Sequence, residues 1–452
     1  MKTRKACDRS IGLLAAALAF TLTLTPAIAS ADVVTTWVAV AEAVAPRFGG
    51  PQPQSRVQAM IQIAVHDALN TIEGRYKRYA STEPPSPDAS PDAAVAAASR
   101  HVMLELLAAV PDSPQKQAAL GMIQAAYDAT VGPGPYDGST TAGIAVGEAA
   151  ADAILALRAG DGSDTPNLPY NEPLLPGLYQ PTPNPEFPLV ITPAFANWAH
   201  VTPFSINHSA QFEVEPGAIF DLTSDAYASE YNEVKTLGDA RVRGSVANAD
   251  SEQSDIARFW PGGGSNWNNS TRIIVGGLTL DRWQHARLFA LINIATADAL
   301  IANMTWKYFY KFWRPVTAIR WADDGNPDTQ ADPTWRPFLV TPPYPDYPCA
   351  LPAATGAATS VLREFFDTDH VEFTVTFNAP AVPLPAPLAP LAPKAITRHF
   401  VSLSQAAAES QSARVFGGLH FRDGCVAGAL QGTKVGRFVV QTELQELHAR
   451  SK

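Results

Sequence analysis

The chain has 452 residues, of which 46% are hydrophobic and 17% charged, a composition typical of a globular protein with a substantial core. Its 33 Lys and Arg residues against 43 Asp and Glu residues give a formal net charge of −10. Because no basic block lies outside the extreme N-terminus, this balance argues against nucleic acid as a partner.

The N-terminal 31 residues have the three parts of a secretory signal peptide. Basic residues, including Lys2 and Arg9, precede an apolar run at residues 11–24 and the small-residue pattern Ala29-Ser30-Ala31. The run is shorter than the ~20 residues that a membrane span needs, and no later apolar run reaches that length. We therefore expect Sec export, cleavage near Ala31, a secreted or periplasmic protein and no membrane association after cleavage.

The periodic segments of the mature chain predict helices. Residues 55–72 (SRVQAMIQIAVHDALNTI) place apolar side chains at three- and four-residue steps, which builds one buried stripe. Related patterns occur at residues 92–110, 114–130, 142–158, 281–304, 401–415 and 426–447. Strand-like alternation is clear only at residues 371–377 (VEFTVTF). Many helices with few strands predict an all-α helical bundle with long proline-rich loops.

The mature chain is predicted to be a single helical domain, residues 32–452, in three parts. N-terminal helices occupy residues 32–160, and the helices that carry the site occupy residues 271–452. Between them, residues 161–270 are rich in Pro, Asn, Gly and Trp and lack periodicity, which is typical of a functional or wrapping loop. A second proline-rich insert, residues 379–393 (APAVPLPAPLAPLAP), is interpreted as surface polyproline II acting as a passive spacer.

The first segment with candidate chemistry is residues 305–320 (TWKYFYKFWRPVTAIR). Lys307 and Arg314 are seven residues apart, which at ~100° per residue predicts that both cations share one helix face, with Lys311 one turn on. Because Pro315 disfavours helical backbone at the residue before it, Arg314 is expected at the helix end. On its own the pattern also fits a cationic stripe that faces solvent.

Two later segments could hold an anion. Residues 344–358 (YPDYPCALPAATGAA) form a proline-rich turn that opens a small-residue helix, where free backbone N–H groups can bind an anion. In residues 412–421 (SARVFGGLHF), Arg414 closes a helix, Gly417 and Gly418 break it, and His420 begins the next segment. This arrangement suits an oxyanion or phosphoryl site, although a capped helix and a structural histidine explain each residue in isolation.

With no CxxC pair and no HExxH motif in the sequence, a zinc site has no support.

Taken together, the three segments resemble the vanadium-dependent haloperoxidases and the related type 2 phosphatidic acid phosphatases. That family's signature is Lys, six residues and Arg-Pro; then Pro-Ser-Gly-His; then Ser-Arg, three residues, Gly, one residue and His. The first block matches at Lys307 and Arg314-Pro315, and the third at Arg414, Gly418 and His420, with Ala413 in place of Ser. The stretches IQIAVHDALNTI, YNEVKTLG, IARFW and ATADA extend the likeness to the secreted bacterial branch over nearly the whole mature chain.

The resemblance implies a vanadate cofactor, with phosphate as its isosteric alternative. It implies that His420 ligates the vanadium and that Lys307, Arg314 and Arg414 bind the oxygens, with Cys349, Ala350 and Gly418 completing the cofactor site. Two arginines and a lysine supply the charged donors that an oxyanion needs. Neutral His420 needs an acceptor for its other N–H, which the sequence does not identify. In this family, vanadate activates hydrogen peroxide, and a halide is oxidised to a hypohalous species.

The middle block departs from the signature, because Pro348-Cys349-Ala350-Leu351 stands where the family has Pro-Ser-Gly-His. Leu351 cannot transfer protons, which puts full activity in doubt. Three functions remain open. We favour a vanadate-dependent, haloperoxidase-like enzyme acting on hydrogen peroxide and halide, since the anion-binding residues are all present. The alternatives are an inactive oxyanion-binding homologue and a phosphatase that attacks a phosphate ester with His420 as nucleophile. No oligomeric state is predicted.

The cysteines carry a separate hypothesis. After signal cleavage only Cys349 and Cys425 remain, in a compartment that permits disulfides. The resemblance places both near one ligand, and we therefore hypothesise that they pair.

Overall fold

The structure, a computed structural model, describes residues 32–167, 169–181, 193–260 and 263–447, without the side chains of residues 263–266. The predicted signal peptide lies outside the described residues. The described part of the chain forms one compact unit.

The described residues contain fourteen α-helices and one two-stranded sheet, which confirms the all-α prediction. The helices are α1 (Val33–Val44), α2 (Pro51–Ile72), α3 (Pro91–Ala108), α4 (Pro114–Val131), α5 (Gly138–Leu157), α6 (Asp225–Leu237), α7 (Ala240–Arg243), α8 (Glu252–Phe259), α9 (Gly263–Val275), α10 (Arg282–Tyr310), α11 (Pro315–Arg320), α12 (Ala350–Phe366), α13 (Leu403–Phe416) and α14 (Arg422–Thr442). The strands are β1 (Phe373–Ala379) and β2 (Lys394–Phe400), and short 3₁₀ helices lie at Ala45–Phe48, Ala196–His200 and Ala218–Phe220.

The segment predicted to be a wrapping loop, residues 161–270, contains three of these helices, α6 to α8, and the start of α9. Most are short, and their beginnings are set by capping side chains rather than by a long apolar stripe. Ser224 accepts from Tyr227 N, Asp239 from Arg241 N and Ser251 from Ser254 N. A few turns of helix produce too little periodicity to stand out in such a sequence.

The predicted strand is present as β1, and it pairs antiparallel with β2, from Phe373 opposite Phe400 to Ala379 opposite Lys394. The proline-rich insert joins the two strands. Val382 in the insert is buried and pairs with Leu391. The interpretation of the insert as a passive surface spacer is therefore wrong for its first residues, which pack onto the helical body.

The core is organised around α10, which lies against α2, α12 and α14. By length and hydropathy alone, α5 and α10 are long and apolar enough to cross a membrane, so the expectation that no later apolar run reaches that length is wrong. In α10, 94% of the apolar window is buried within the protein, as in the core helix of a globular fold. α5 packs against α2 and α3.

The close pairing of α12 with α14 sets the position of the candidate site. A Cβ atom added at Gly432 of α14 would lie 1.8 Å from the carbonyl oxygen of Ala353 in α12, so only glycine allows this approach. At the N-terminal end of the same contact, Cys349 N donates to Gly424 O at 2.8 Å. The pairing therefore holds the start of α12 beside the turn that carries His420.

Candidate active site

The two cations of the first segment do not share a helix face, and that expectation is wrong. Helix α10 ends at Tyr310, Lys311 takes a left-handed conformation with φ 52°, and Arg314 becomes the N-cap of α11. Lys311 points away and pairs with Glu172. Lys307 and Arg314 meet instead at the ring of Tyr344, whose centroid lies 5.4 Å from Lys307 Nζ and 5.0 Å from Arg314 Cζ. A chain reversal, and not helical periodicity, brings them together.

Lys307 is fully buried and holds the turn before α12. Its ammonium donates to Asp346 O at 2.8 Å and also to Pro348 O. Burial, reinforced by the charge of Arg314, lowers the pKa of Lys307 to about 7. A buried amine with such a pKa gains a proton readily when an anion arrives beside it.

Arg314 is also fully buried, and its guanidinium joins the second and third segments. Nε donates to Tyr344 O at 2.7 Å, and Nη1 donates to Leu419 O at 2.9 Å. The same Nη1 lies 2.7 Å from His420 Nε2. Because a guanidinium only donates, Nε2 must be the acceptor, which assigns the imidazole proton to Nδ1. Nη2 is buried without a hydrogen-bond partner among the described residues.

His420 faces a carboxylate that the sequence did not single out. Its Nδ1 lies 3.0 Å from Asp346 Oδ1, within ion-pair distance, although the two groups do not meet hydrogen-bond geometry. Burial, together with Arg314, Arg414 and Lys307, lowers the pKa of His420 well below its usual value. Burial raises the pKa of Asp346 well above its usual value, opposed by Arg314 and Lys307. The histidine is therefore neutral, with an acidic partner at Nδ1.

Asp346 was missed because the family signature contains no aspartate. The available signal was its place between prolines in the turn of residues 344–358, a segment predicted to bind an anion. Nothing local marks the side chain as facing His420. Its contact depends on how α12 and α14 pack.

Arg414 lies near the end of α13, nearly buried, with Nε lacking a hydrogen-bond partner in the described part of the chain. After it, Gly418 takes a φ of +73°, and a Cβ atom there would lie 2.4 Å from Gly238 O. Glycine at this position allows both the left-handed turn and the close approach. The turn returns the chain so that Arg414 and His420 reach the same cavity.

The segment Pro348-Cys349-Ala350-Leu351, which differs from the family signature, leads into helix α12, with Cys349 as its N-cap. Both Cys349 and Cys425 are buried free thiols, so the hypothesised disulfide is not present in this structure. Burial opposes ionisation of Cys349, but the neighbouring Cys425 thiol and the charges of Arg414, Lys307 and Arg314 lower its pKa below the usual value.

A cavity of about 420 Å³ opens onto this group of residues. Arg414, His420, Ala350 and Leu351 line it, and Tyr344 adds an aromatic wall. The remaining predicted site residues are not part of the cavity lining: Lys307, Arg314, Cys349 and Gly418. Lys307 and Arg314 lie behind the cavity lining. The predicted site residues therefore fall into two groups, those that line the cavity and those that lie behind this lining.

The residues fit an oxyanion. The basic side chains of Lys307, Arg314 and Arg414 lie around neutral His420 and the buried carboxyl group of Asp346. Arg314 Nη2 and Arg414 Nε are buried donors with no partner within the described residues. A buried donor without a partner lowers the stability of the folded protein unless a ligand or water accepts from it. A ligand bound at His420 Nε2 would replace the hydrogen bond from Arg314 and leave that guanidinium free for the ligand's oxygens.

Comparison with known proteins gives consistent matches. A family described as the "VCPO second helical-bundle domain" matches residues 287–448. A curated vanadium chloroperoxidase from Curvularia inaequalis is 24% identical over 462 aligned positions, covering 82% of this chain and 74% of that protein.

The solved structures show the same fold. A crystal structure described as the first bacterial vanadium-dependent iodoperoxidase aligns with a TM-score of 0.73 at 23% identity, covering 93% of this chain and 98% of that one. The holo form of a bacterial vanadium-dependent chloroperoxidase aligns with a TM-score of 0.68 at 18% identity, covering 88% of this chain and 93% of that one.

Proposed function

Because this chain belongs to the vanadium-dependent haloperoxidase family, we propose that it is a haloperoxidase-like enzyme that uses vanadate and hydrogen peroxide to oxidise halide. In the overall reaction, hydrogen peroxide accepts two electrons from the halide and one proton from the medium, which yields a hypohalous acid and water. The observation that carries the proposal is the pair of unpartnered buried guanidinium nitrogens, within the described residues, beside neutral His420 at a cavity wall.

The residues that would hold vanadate are His420 through Nε2, and Arg314, Arg414 and Lys307 through their charged N–H groups. Bound vanadate would supply a Lewis acid that activates peroxide without changing its own oxidation state. Charge-assisted hydrogen bonds contribute roughly 1.5–3 kcal/mol each, so these basic side chains should provide most of the free energy of vanadate binding.

The protein's own groups prepare this site. Asp346 favours the tautomer with the proton on Nδ1, which keeps Nε2 available as a ligand. Leu351 lines the cavity where the family signature has a histidine, so no imidazole there can deliver the proton that the reaction consumes. The proton would then come from solvent, and we propose a slow enzyme.

The test is a vanadate titration of the mature protein, followed by bromination with peroxide and bromide. His420→Ala should abolish tight vanadate binding, and Arg414→Ala should weaken it about tenfold or more. Arg437→Ala is the matched control, because Arg437 is an exposed arginine that pairs with Glu364. Equal vanadate affinity in wild type and His420→Ala would reject the assigned site.

The second candidate is an oxyanion-binding homologue without turnover, which the leucine at position 351 favours. Tight vanadate binding with no halide oxidation would support it. A phosphatase reaction, with His420 Nε2 attacking a phosphate ester, requires that nitrogen to leave Arg314. Release of phosphate from an ester without vanadate, lost in His420→Ala, would support this third candidate.

We also propose that the protein is exported through the Sec pathway with cleavage near Ala31, on the strength of the signal-peptide pattern in residues 1–31. N-terminal sequencing of the protein from the periplasm or medium tests this. A mature chain that still begins at Met1 would contradict it.

A further inference from the structure

One part of the cavity wall carries a positive charge that the oxyanion site does not use. Arg258, in the stretch IARFW at residues 256–260, lies on α8 and lines the cavity. The proline-rich insert holds its side chain, because Nη2 donates to Pro380 O at 3.3 Å and to Ala392 O at 2.5 Å. The guanidinium is therefore fixed in the wall by chain segments that contribute none of the residues assigned to the oxyanion site.

Part of the Arg258 guanidinium remains available to a ligand. Nη1 makes no hydrogen bond with any of the described residues. Nε is buried and also unpartnered within the described residues, whereas Nη1 keeps accessible surface. The residue as a whole is only 3% exposed. A free N–H in so enclosed a place is a donor that a small ligand or water can satisfy.

The charge of Arg258 is not neutralised within the protein. No carboxylate among the described residues forms an ion pair with it, and the two acidic residues whose charges act on it, Asp255 and Asp250, both pair with Lys394. Arginine stays protonated in proteins. The cavity wall therefore carries an unpaired positive charge, which attracts an anion.

The surroundings of Arg258 determine which anions fit. The insert lines the cavity with Pro380, Ala381, Val382 and Pro383, whose side chains offer no hydrogen-bonding group. An anion that enters loses part of its hydration shell, and this loss is more costly for a strongly hydrated anion. Iodide and bromide are weakly hydrated and carry one charge, so one weakly hydrated guanidinium can compensate for it. Oxyanions with several charges need several donors, which the site at His420 provides.

We propose that Arg258 forms a second anion site in this cavity, and that its ligand is a weakly hydrated halide, iodide or bromide, held by Nη1. The halide then lies in the same cavity as His420. Arg258 sets the halide preference, with iodide bound more tightly than bromide and bromide more tightly than chloride. The use of the bound halide as a substrate rests on the proposed function, but halide binding does not.

The test is bromide binding to the mature protein without vanadate or peroxide, measured as line broadening in bromine NMR. Wild type should show saturable broadening that iodide displaces at a lower concentration than chloride does. Arg258→Gln should weaken bromide binding about tenfold or more, as expected for the loss of a charge-assisted hydrogen bond. Arg258→Lys keeps a positive charge and should lose less.

Arg243→Gln is the matched control. Arg243 is also a buried arginine without an ion pair to the described residues and with Nε unpartnered among them, but it does not line the cavity. The variant should bind bromide as wild type does. His420→Ala should also keep bromide binding, because other chain segments form the halide site. Melting curves confirm that each variant is folded.

No saturable broadening in wild type, or displacement by chloride and iodide at equal concentrations, would overturn the inference, whatever the variants do. Loss of bromide binding in His420→Ala would place the halide at the oxyanion site and would overturn it too. Bromide binding that depends on Arg258, in a protein that fails to oxidise bromide, would count against the proposed function and would support this inference. Bromide oxidation with the same KM for bromide in wild type and Arg258→Gln would support the proposed function and overturn this inference.

Discussion

Asp346 Oδ1 lies 3.0 Å from His420 Nδ1, and both side chains are almost completely excluded from solvent. The contact joins the turn before α12 to the turn before α14. It orients the only histidine that lines the cavity among the described residues. The carboxyl is therefore a positioning group for the nitrogen on the other side of the ring.

Replacing Asp346 should weaken oxyanion binding through His420. We expect Asp346→Ala to lower vanadate affinity about tenfold to a hundredfold, the range for lost partners of metal-ligating histidines. Asp346→Asn keeps an acceptor oxygen and should lose less. Vanadate titration of both variants, with melting curves to confirm folding, measures the effect. An alanine variant with wild-type affinity would show that Asp346 does not position the ring.

Leu351→His should raise bromination while changing vanadate affinity little. The substitution places a titratable group in the cavity lining, and a positioned acid or base contributes about 10²–10⁴ in rate. A pocket shaped for leucine should deliver less, about tenfold. Leu351→Asn is the control, since it adds polarity without a proton that titrates near neutral pH. Equal rates in the two variants would rule out proton transfer as the missing function.

Anion affinity should fall as pH rises above about 7, because the pKa of Lys307 is lowered to about 7 in the ligand-free protein. Below that pH the ammonium is already charged, so affinity should be constant. Above it, an anion binds only with proton uptake, and affinity should fall by up to about tenfold per pH unit. Tungstate is a suitable probe because its own charge stays constant over this range.

Lys307→Arg tests that assignment, because arginine remains protonated throughout. The variant should show a flatter pH profile for tungstate than wild type. The same slope in both proteins would assign the titration to another group near the site, such as Cys349.

Gly432→Ala should destabilise the fold, because the new Cβ atom would lie 1.8 Å from Ala353 O. Overpacking of this kind lowers the free energy of unfolding by about 1–3 kcal/mol or more. Gly121→Ala in α4 is the matched control, since nothing lies within 4 Å of its added Cβ atom. There alanine should stabilise the helix by about 0.5–1 kcal/mol. Chemical denaturation of both variants should give changes of opposite sign.

The sequence by itself determined the helical class, the predicted helices and the residues that carry charge. These depend on local patterns, since apolar periodicity and motif spacing are read along one stretch of chain. Lys307, Arg314, Arg414 and His420 were identified in this way, and so was the departure at Leu351.

Only the tertiary structure decided how these residues meet. Lys307 and Arg314 came together through a chain reversal at Lys311, where helical spacing had predicted a common face. Asp346 reached His420, and Gln52 reached the same cavity as Arg414, from segments far apart in the chain. Such contacts depend on how α2, α12 and α14 pack, and close approach at residues such as Gly432 sets that packing. No local sequence pattern encodes this packing, because the energy of each contact depends on residues in two segments that are far apart in the chain.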